Sequence, residues 1–300
     1  MGQTRKRRVK KRKRSKKKFM REKCSPKKPR EKLKYSCYTS TTLHKLRDIW
    51  NKRHPDSKIT SNDPREIWEL LKMSMMTTCN RESCWLRKLF KKNKLNSELR
   101  NYTFAPKQPK EWKKNPYEWL SSVELLQVMK QYERAYPHFE FLGPSPIDYD
   151  AKKMFGECVW EELCQFQLKD FIKRGKTKIG IIFNLDPHDL EGSHWMCMFI
   201  DIKKKEIYYF DSYGDGPPRR LSKFMNEVKR QSRALGTPYT ILKNKRRHQF
   251  SESECGMYCL YFIIQLLKGK ETFETLTKQR INDKKVKELR KIYFNQNIKG

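Results

Sequence analysis

Three observations predict an α+β protein. Amphipathic helices crowd the first half of the chain, a strand hairpin occupies the middle, and one helix that is apolar nearly all round follows it. The strand-like runs are Lys178 to Leu185, Trp195 to Ile202 and Glu206 to Phe210, the last two joined by a lysine-rich turn. The apolar helix runs from Cys255 to Leu267 and has no face to offer water, so it must be buried.

The helices are marked by their starts. Leu43 to Trp50 and Pro64 to Met76 read as short amphipathic helices, the second entered through Ser61-Asn62-Asp63-Pro64, a cap followed by proline in the first turn. Trp85, Leu86, Leu89 and Phe90 suggest a third. Pro106 to Pro116 is rich in proline and lysine and reads as a connection. Ser121-Ser122-Val123-Glu124 has capping-box spacing ahead of a helix whose face carries Leu125, Met129, Tyr132 and Tyr136; Gly143-Pro144 and Pro146 end it. Leu221 to Leu235 is a charged amphipathic helix, Tyr239 to Leu242 a strand, and Lys284 to Phe294 a closing helix. The expected boundaries are a basic disordered tail over 1–34, a helical arm over 35–105, a linker over 106–118 and a core over 119–300.

Composition narrows the function classes. A chain of 300 residues that is 36% hydrophobic can bury one sizeable core, whereas a net charge of +35 implies a polyanionic partner. Much of that excess lies near the start, where Arg5-Lys6-Arg7-Arg8 and Lys10 to Arg14 run without apolar periodicity. Such a run suits sequence-independent binding to nucleic-acid phosphates, and equally an import or solubilising segment. No apolar signal segment or membrane-length stretch is apparent, so a reducing, non-membrane setting is expected. The 9 cysteines are irregularly spaced, so most are expected to be buried thiols rather than a disulfide framework. Without a CxxC pair, no metal or cofactor is expected.

The chemistry is concentrated between His194 and Cys255. Cys255 stands between Ser251-Glu252-Ser253-Glu254 and the apolar helix, so its sulfur would sit at a helix N-terminus, where the dipole and free N–H groups favour thiolate. Gly256 is expected to let a substrate carbonyl approach. His194 precedes one strand of the hairpin and Asp211 ends the other, which would bring an imidazole and a carboxylate side by side; His188, Asp201 and Asp215 compete with them. Gln249 could donate to an oxyanion beside the Cys255 N–H. Taken singly, each has an ordinary reading: a buried thiol, a surface His, a turn Asp, a solvated amide. In one order they supply a nucleophile, a base, an orienting acid and an oxyanion donor. Cys259, one helical turn deeper, reads as structural.

His194-Trp195, the strand-ending Asp211, Gln249 and Cys255-Gly256 resemble the adenovirus-protease and SUMO-protease type of cysteine peptidase. Trp119-Leu120-Ser121 is similar to the opening motif of the SUMO-protease domain. A closer resemblance covers most of the chain beyond the tail: Ile67-Trp68, Cys84-Trp85-Leu86, Phe104-Ala105-Pro106, Asn115-Pro116 and Phe141-Leu142-Gly143-Pro144 with Pro146-Ile147-Asp148 resemble the thiol proteases of large and giant DNA viruses, African swine fever virus among them. The resemblance implies a papain-like core, a mixed central sheet flanked by helices with an N-terminal helical arm, and a glycine-selective tunnel between Trp119 and Trp195. It further implies a viral thiol protease that cuts capsid and core polyprotein precursors at Gly-Gly or Gly-Xaa sites, in the virion and the cytoplasmic viral factory. Isopeptidase action on SUMO or ubiquitin-like conjugates, and a non-enzymatic nucleic-acid-binding role, are the alternatives. Glu254 departs from the usual Asp of SUMO proteases, and Asp211 from the Asn of some viral relatives.

Overall fold

The structure is a computed structural model that describes residues 18–90, 99 and 101–296. It divides into two compact units, 1–22 with 33–100 and 23–32 with 101–300. The first 17 residues, with most of the basic run, lie outside the described residues.

The smaller unit holds three helices, Ser40–Arg53, Pro64–Met75 and Glu82–Leu89, close to the three the sequence predicts. Asp63 caps the second, its carboxylate accepting from the N–H groups of Arg65 and Glu66 at 2.9 Å each, and Pro64 occupies the first turn, where its missing N–H costs nothing. Trp68, Trp85 and Tyr38 form the aromatic centre. Glu82 is buried among them and accepts from Trp68 Nε1 at 2.7 Å and the Cys37 N–H at 3.0 Å. Burial raises its pKa, and these donors pull against that shift.

The larger unit is built on a five-stranded mixed sheet in the order β1 to β5: Phe139–Ser145, Lys178–Asn184, Trp195–Asp201, Glu206–Phe210 and Thr240–Lys243. The β2–β3 and β3–β4 pairs are antiparallel, and the two outer pairs are parallel. The period of two along β3 sorts its side chains to opposite faces. Cys197 and Phe199 pack with the Cys255–Lys268 and Ser122–Ala135 helices, while Met196, Met198 and Ile200 pack with the Arg219–Ala234 helix. Both faces are covered, which is why β3 reads as an unbroken apolar run. The observed fold is thus α+β with a mixed sheet and flanking helices, as expected.

Four details differ from the sequence reading. β1 is a strand where the prolines announce only a break; as an edge strand it tolerates Pro144, and Gly143, at φ +103°, lies where a Cβ would come 2.8 Å from the Ile182 carbonyl. The 106–118 segment lies on the sheet unit, because Trp112 is 4% exposed and packs edge-on against Phe294. Residues 23–32 join it too: the Asn295 side-chain amide donates to the Lys23 and Ala105 carbonyls at 2.9 and 3.0 Å, and the Ala105 and Ser25 N–H groups donate to the Lys23 and Thr103 carbonyls at 2.9 and 3.1 Å, so tail residues read as disordered are held. The closing helix is two pieces, Asp283–Glu288 and Arg290–Tyr293.

The cysteine expectation is also overturned. Cys79 is bonded to Cys84 and Cys158 to Cys164, Cys24 and Cys37 are disulfide-bonded, and the free thiols are Cys197, Cys255 and Cys259. Turns bring these near neighbours together, which irregular spacing cannot announce. Among the described residues no helix is long and apolar enough to cross a membrane.

Candidate active site

The β3–β4 hairpin and the start of the Cys255–Lys268 helix converge at one end of the sheet. His194 immediately precedes β3, its carbonyl accepting from the Leu185 N–H at 2.8 Å, and Asp211 immediately follows β4. Their side chains meet, His194 Nε2 to Asp211 Oδ2, at 3.1 Å, and both residues are buried. Asp211 Oδ1 accepts the Tyr213 N–H at 2.7 Å and its carbonyl accepts from Asn244 Nδ2 at 2.8 Å, so the carboxylate cannot turn away.

Cys255 opens its helix and is 1% exposed. The Cys255 thiol lies close enough to the His194 ring to act on its protonation. Burial by itself would pull the imidazole pKa down, but the hydrogen bond to Asp211, the nearby Cys255 thiol and their negative charge outweigh it and raise the value to about 9. Across the neutral range the ring is therefore a cation beside a sulfur at a helix N-terminus, the setting in which a thiolate is stable. Cys259 has the opposite surroundings. Burial, then a hydrogen bond with Cys197, drives its pKa well above the usual thiol value.

Gln249 is fully buried beside this pair. Its Oε1 accepts from Ser212 Oγ at 2.7 Å, while Nε2 donates to the Ser251 carbonyl at 2.6 Å and lies 3.4 Å from Tyr213 Oη. The four expected site residues thus occupy one neighbourhood.

The competitors go elsewhere. Asp201 Oδ1 accepts the Lys204 N–H at 3.0 Å and closes the β3–β4 turn. His188 pairs through Nδ1 with Asp148 Oδ2 at 2.7 Å, with its ring about half exposed at 47%. His248, which the sequence reading passed over, is fully buried and accepts from the Ile281 N–H at 3.0 Å; burial, then Arg246 and Arg280, lowers its pKa to about 4, so it stays neutral.

Trp119 and Trp195 line the same cavity of about 540 Å³, together with Pro144, Trp160, His188 and Gly192. Trp195 is nearly buried and donates Nε1–H to the Leu120 carbonyl at 2.8 Å, while Trp119 is 39% exposed. Gly256 has a packing role that the sequence does not announce. A Cβ there would meet Leu120 Cβ at 3.1 Å and Trp195 Cδ1 at 3.3 Å, so the missing side chain admits the 119–120 segment against the helix.

One further feature was not read from sequence. Glu254, ahead of the nucleophile candidate, is fully buried and pairs with Arg290 Nε at 3.3 Å, and the guanidinium lies 4.5 Å from the Trp112 ring centre. Nothing in the spacing of two residues so far apart could signal this pair. Among the described residues no group of three His, Cys, Asp or Glu side chains could hold a metal.

Comparison with known proteins fits this geometry. Residues 169–299 match the Ulp1 protease family, C-terminal catalytic domain. The chain is 34% identical over 181 residues to a thiol protease of Acanthamoeba polyphaga mimivirus, covering 59% of this chain and 57% of that protein, so it spans little more than half of that relative's length. It is 26% identical over 242 residues to a cysteine protease of African swine fever virus, 75% of this chain and 85% of the relative. The crystal structure of the African swine fever virus protease superposes with a TM-score of 0.65 at 20% identity, covering 91% of this chain and 95% of that one, a likeness of fold.

Proposed function

Starting from residues 169–299 as a member of the Ulp1 protease family, we propose that this chain is a thiol endopeptidase that cuts viral capsid and core precursors after glycine. The observation that carries the reading is the buried His194 ring, hydrogen-bonded to Asp211 and raised in pKa by Asp211 and the nearby Cys255 thiol together. Cys255 Sγ attacks the scissile carbonyl, and the tetrahedral oxyanion is held by the Cys255 N–H and Gln249 Nε2. His194, already protonated, gives its proton to the leaving amine; it then takes one from the water that hydrolyses the thioester, and thiolate returns as leaving group. Asp211 fixes the ring and stabilises its positive charge throughout.

Trp119 and Trp195 favour glycine at the scissile position, because a segment squeezed between two indoles has no room for a side chain. The test compares cleavage of otherwise identical peptides with Gly-Gly and Leu-Leu at the scissile bond. Preference for Gly-Gly, lost on Cys255→Ala, supports the reading; equal cleavage contradicts the tunnel. A deconjugating activity shares the same chemistry, and one African swine fever virus relative is named a SUMO-1 cysteine protease. Release of a modifier from a Gly-Gly isopeptide faster than cleavage of a linear precursor would favour it. The basic run from Arg5 onward is proposed to hold the enzyme on packaged nucleic acid in the virion and the viral factory, by displacing counterions from phosphates.

A further inference from the structure

The tripeptide that follows β4 touches every catalytic group except the thiol. Asp211 holds the His194 ring. Ser212, 1% exposed, donates its hydroxyl to Gln249 Oε1 at 2.7 Å, and its carbonyl accepts both the His248 and Gln249 N–H groups at 2.8 and 2.9 Å. Tyr213 stacks its ring on the His194 imidazole, with centroids 4.8 Å apart and planes at 21°, and sets its hydroxyl 3.4 Å from Gln249 Nε2.

We infer that Ser212 and Tyr213 are positioning residues that register the base and the oxyanion donor against each other. The inference rests on the cysteine-protease reading above. A primary amide can flip, exchanging donor for acceptor, and a flipped Gln249 would turn an oxygen toward the developing oxyanion. Two contacts oppose the flip. Ser251 offers a carbonyl, which can only accept, at 2.6 Å from Nε2, and the Ser212 hydroxyl satisfies Oε1 on the other side. One amide hydrogen is spent on Ser251, leaving the second, at its long contact with Tyr213, free to turn to substrate. Because Ser212 also grips the Gln249 backbone, the donor's position is tied to the residue next to the base's carboxylate. Tyr213 covers one face of the imidazole, which limits its rotation about the contact with Asp211.

A double-mutant cycle tests this. Ser212→Ala should lower kcat by about 10-fold to 100-fold with KM within about twofold, as expected for a donor used only in the transition state. Ser212→Thr, which keeps the hydroxyl, should recover most of the loss. In a Gln249→Ala background, Ser212→Ala should cost almost nothing more, because the amide it positions is gone. Tyr213→Leu should move the alkaline limb of the kcat/KM profile, whereas Tyr213→Phe should leave that limb in place. Independent, multiplicative losses from Ser212→Ala and Gln249→Ala would overturn the inference, as would full activity in Ser212→Ala. Thermal unfolding of each variant identifies a loss of fold; if Ser212→Ala does not fold, the cycle is run with Ser212→Cys, and multiplicative losses there overturn the inference equally. Full activity in Gln249→Ala would overturn instead the oxyanion role on which the inference rests.

Discussion

Two histidine–aspartate pairs lie at the same end of the sheet unit, and only one of them has the makings of a catalyst. His188 and Asp148 are the closer pair, at 2.7 Å against 3.1 Å for His194 and Asp211. Yet the His188 ring is half open to water, while His194 is buried and close enough to a thiol for the two to shift each other's protonation. A charged pair in water gains little from its partner, because solvent screens the attraction. Behind an apolar wall the same pair holds a proton strongly, and the third partner gives that proton a use. A short contact is therefore a poor marker of function, and burial with a nucleophile is a good one.

Breaking each pair in turn sharpens the comparison. Asp211→Ala should lower kcat by about 10²-fold or more with little change in KM, since the base loses its orientation and its counter-charge. Asp148→Ala, which frees the cavity-lining His188 from its partner, should change kcat by less than about threefold and act mainly on KM. Steady-state kinetics on one Gly-Gly peptide distinguish the two, and a larger kcat loss from Asp148→Ala would reverse the assignment.

A second contrast separates support from chemistry. Glu254 and Arg290 form a buried ion pair, and Arg290→Met leaves a carboxylate uncompensated in the interior, which should cost about 3 kcal/mol of stability by urea unfolding. An exposed pair such as Arg65 and Glu69 should cost well under about 1 kcal/mol when broken. Equal losses would mean that the Glu254 carboxylate, once its partner is gone, relaxes into water.

The pH dependence distinguishes the two histidines again. The folded-state pKa of His194 is raised, so its contribution to stability is fully present below its unfolded value near 6.5 and is lost as pH rises through about 9. The activity should fall over the same alkaline limb as the imidazolium deprotonates. Removing Asp211 should bring that limb to lower pH, and Asp148→Ala should leave it in place. The smallest effect is expected from the basic tail. Deleting residues 1–17 should leave cleavage of a free peptide nearly unchanged while weakening salt-sensitive DNA binding, measured by titration at several salt concentrations. Equal affinity with and without the segment would leave it an import or solubilising run.

What the sequence disclosed follows from how each feature is encoded. The hairpin and the apolar helix carry their own periodicity, so the places of His194, Asp211 and Cys255 could be read from strand ends and a helix start. β1 could not, because an edge strand that holds Pro144 and is followed at once by Pro146 advertises only its breakers. The Glu254–Arg290 pair and the Asn295 contacts join distant segments through side chains that look solvated in sequence. Gly256 was read as serving the substrate, and the packing of Leu120 against it is visible only in three dimensions. The Ser212 contact with Gln249 was hidden because a serine beside an aspartate reads as an ordinary turn.

The central claim is that Cys255, and neither of the other two free thiols, is activated by His194. Iodoacetamide alkylation of the folded protein near pH 6.5, followed by mass spectrometry of each cysteine in wild type and His194→Ala, tests it most directly. The account predicts that Cys255 is labelled well before Cys197 and Cys259, and that His194→Ala slows Cys255 alone by about 10-fold or more. Faster labelling of Cys259, or a Cys255 rate that ignores the loss of His194, would contradict it.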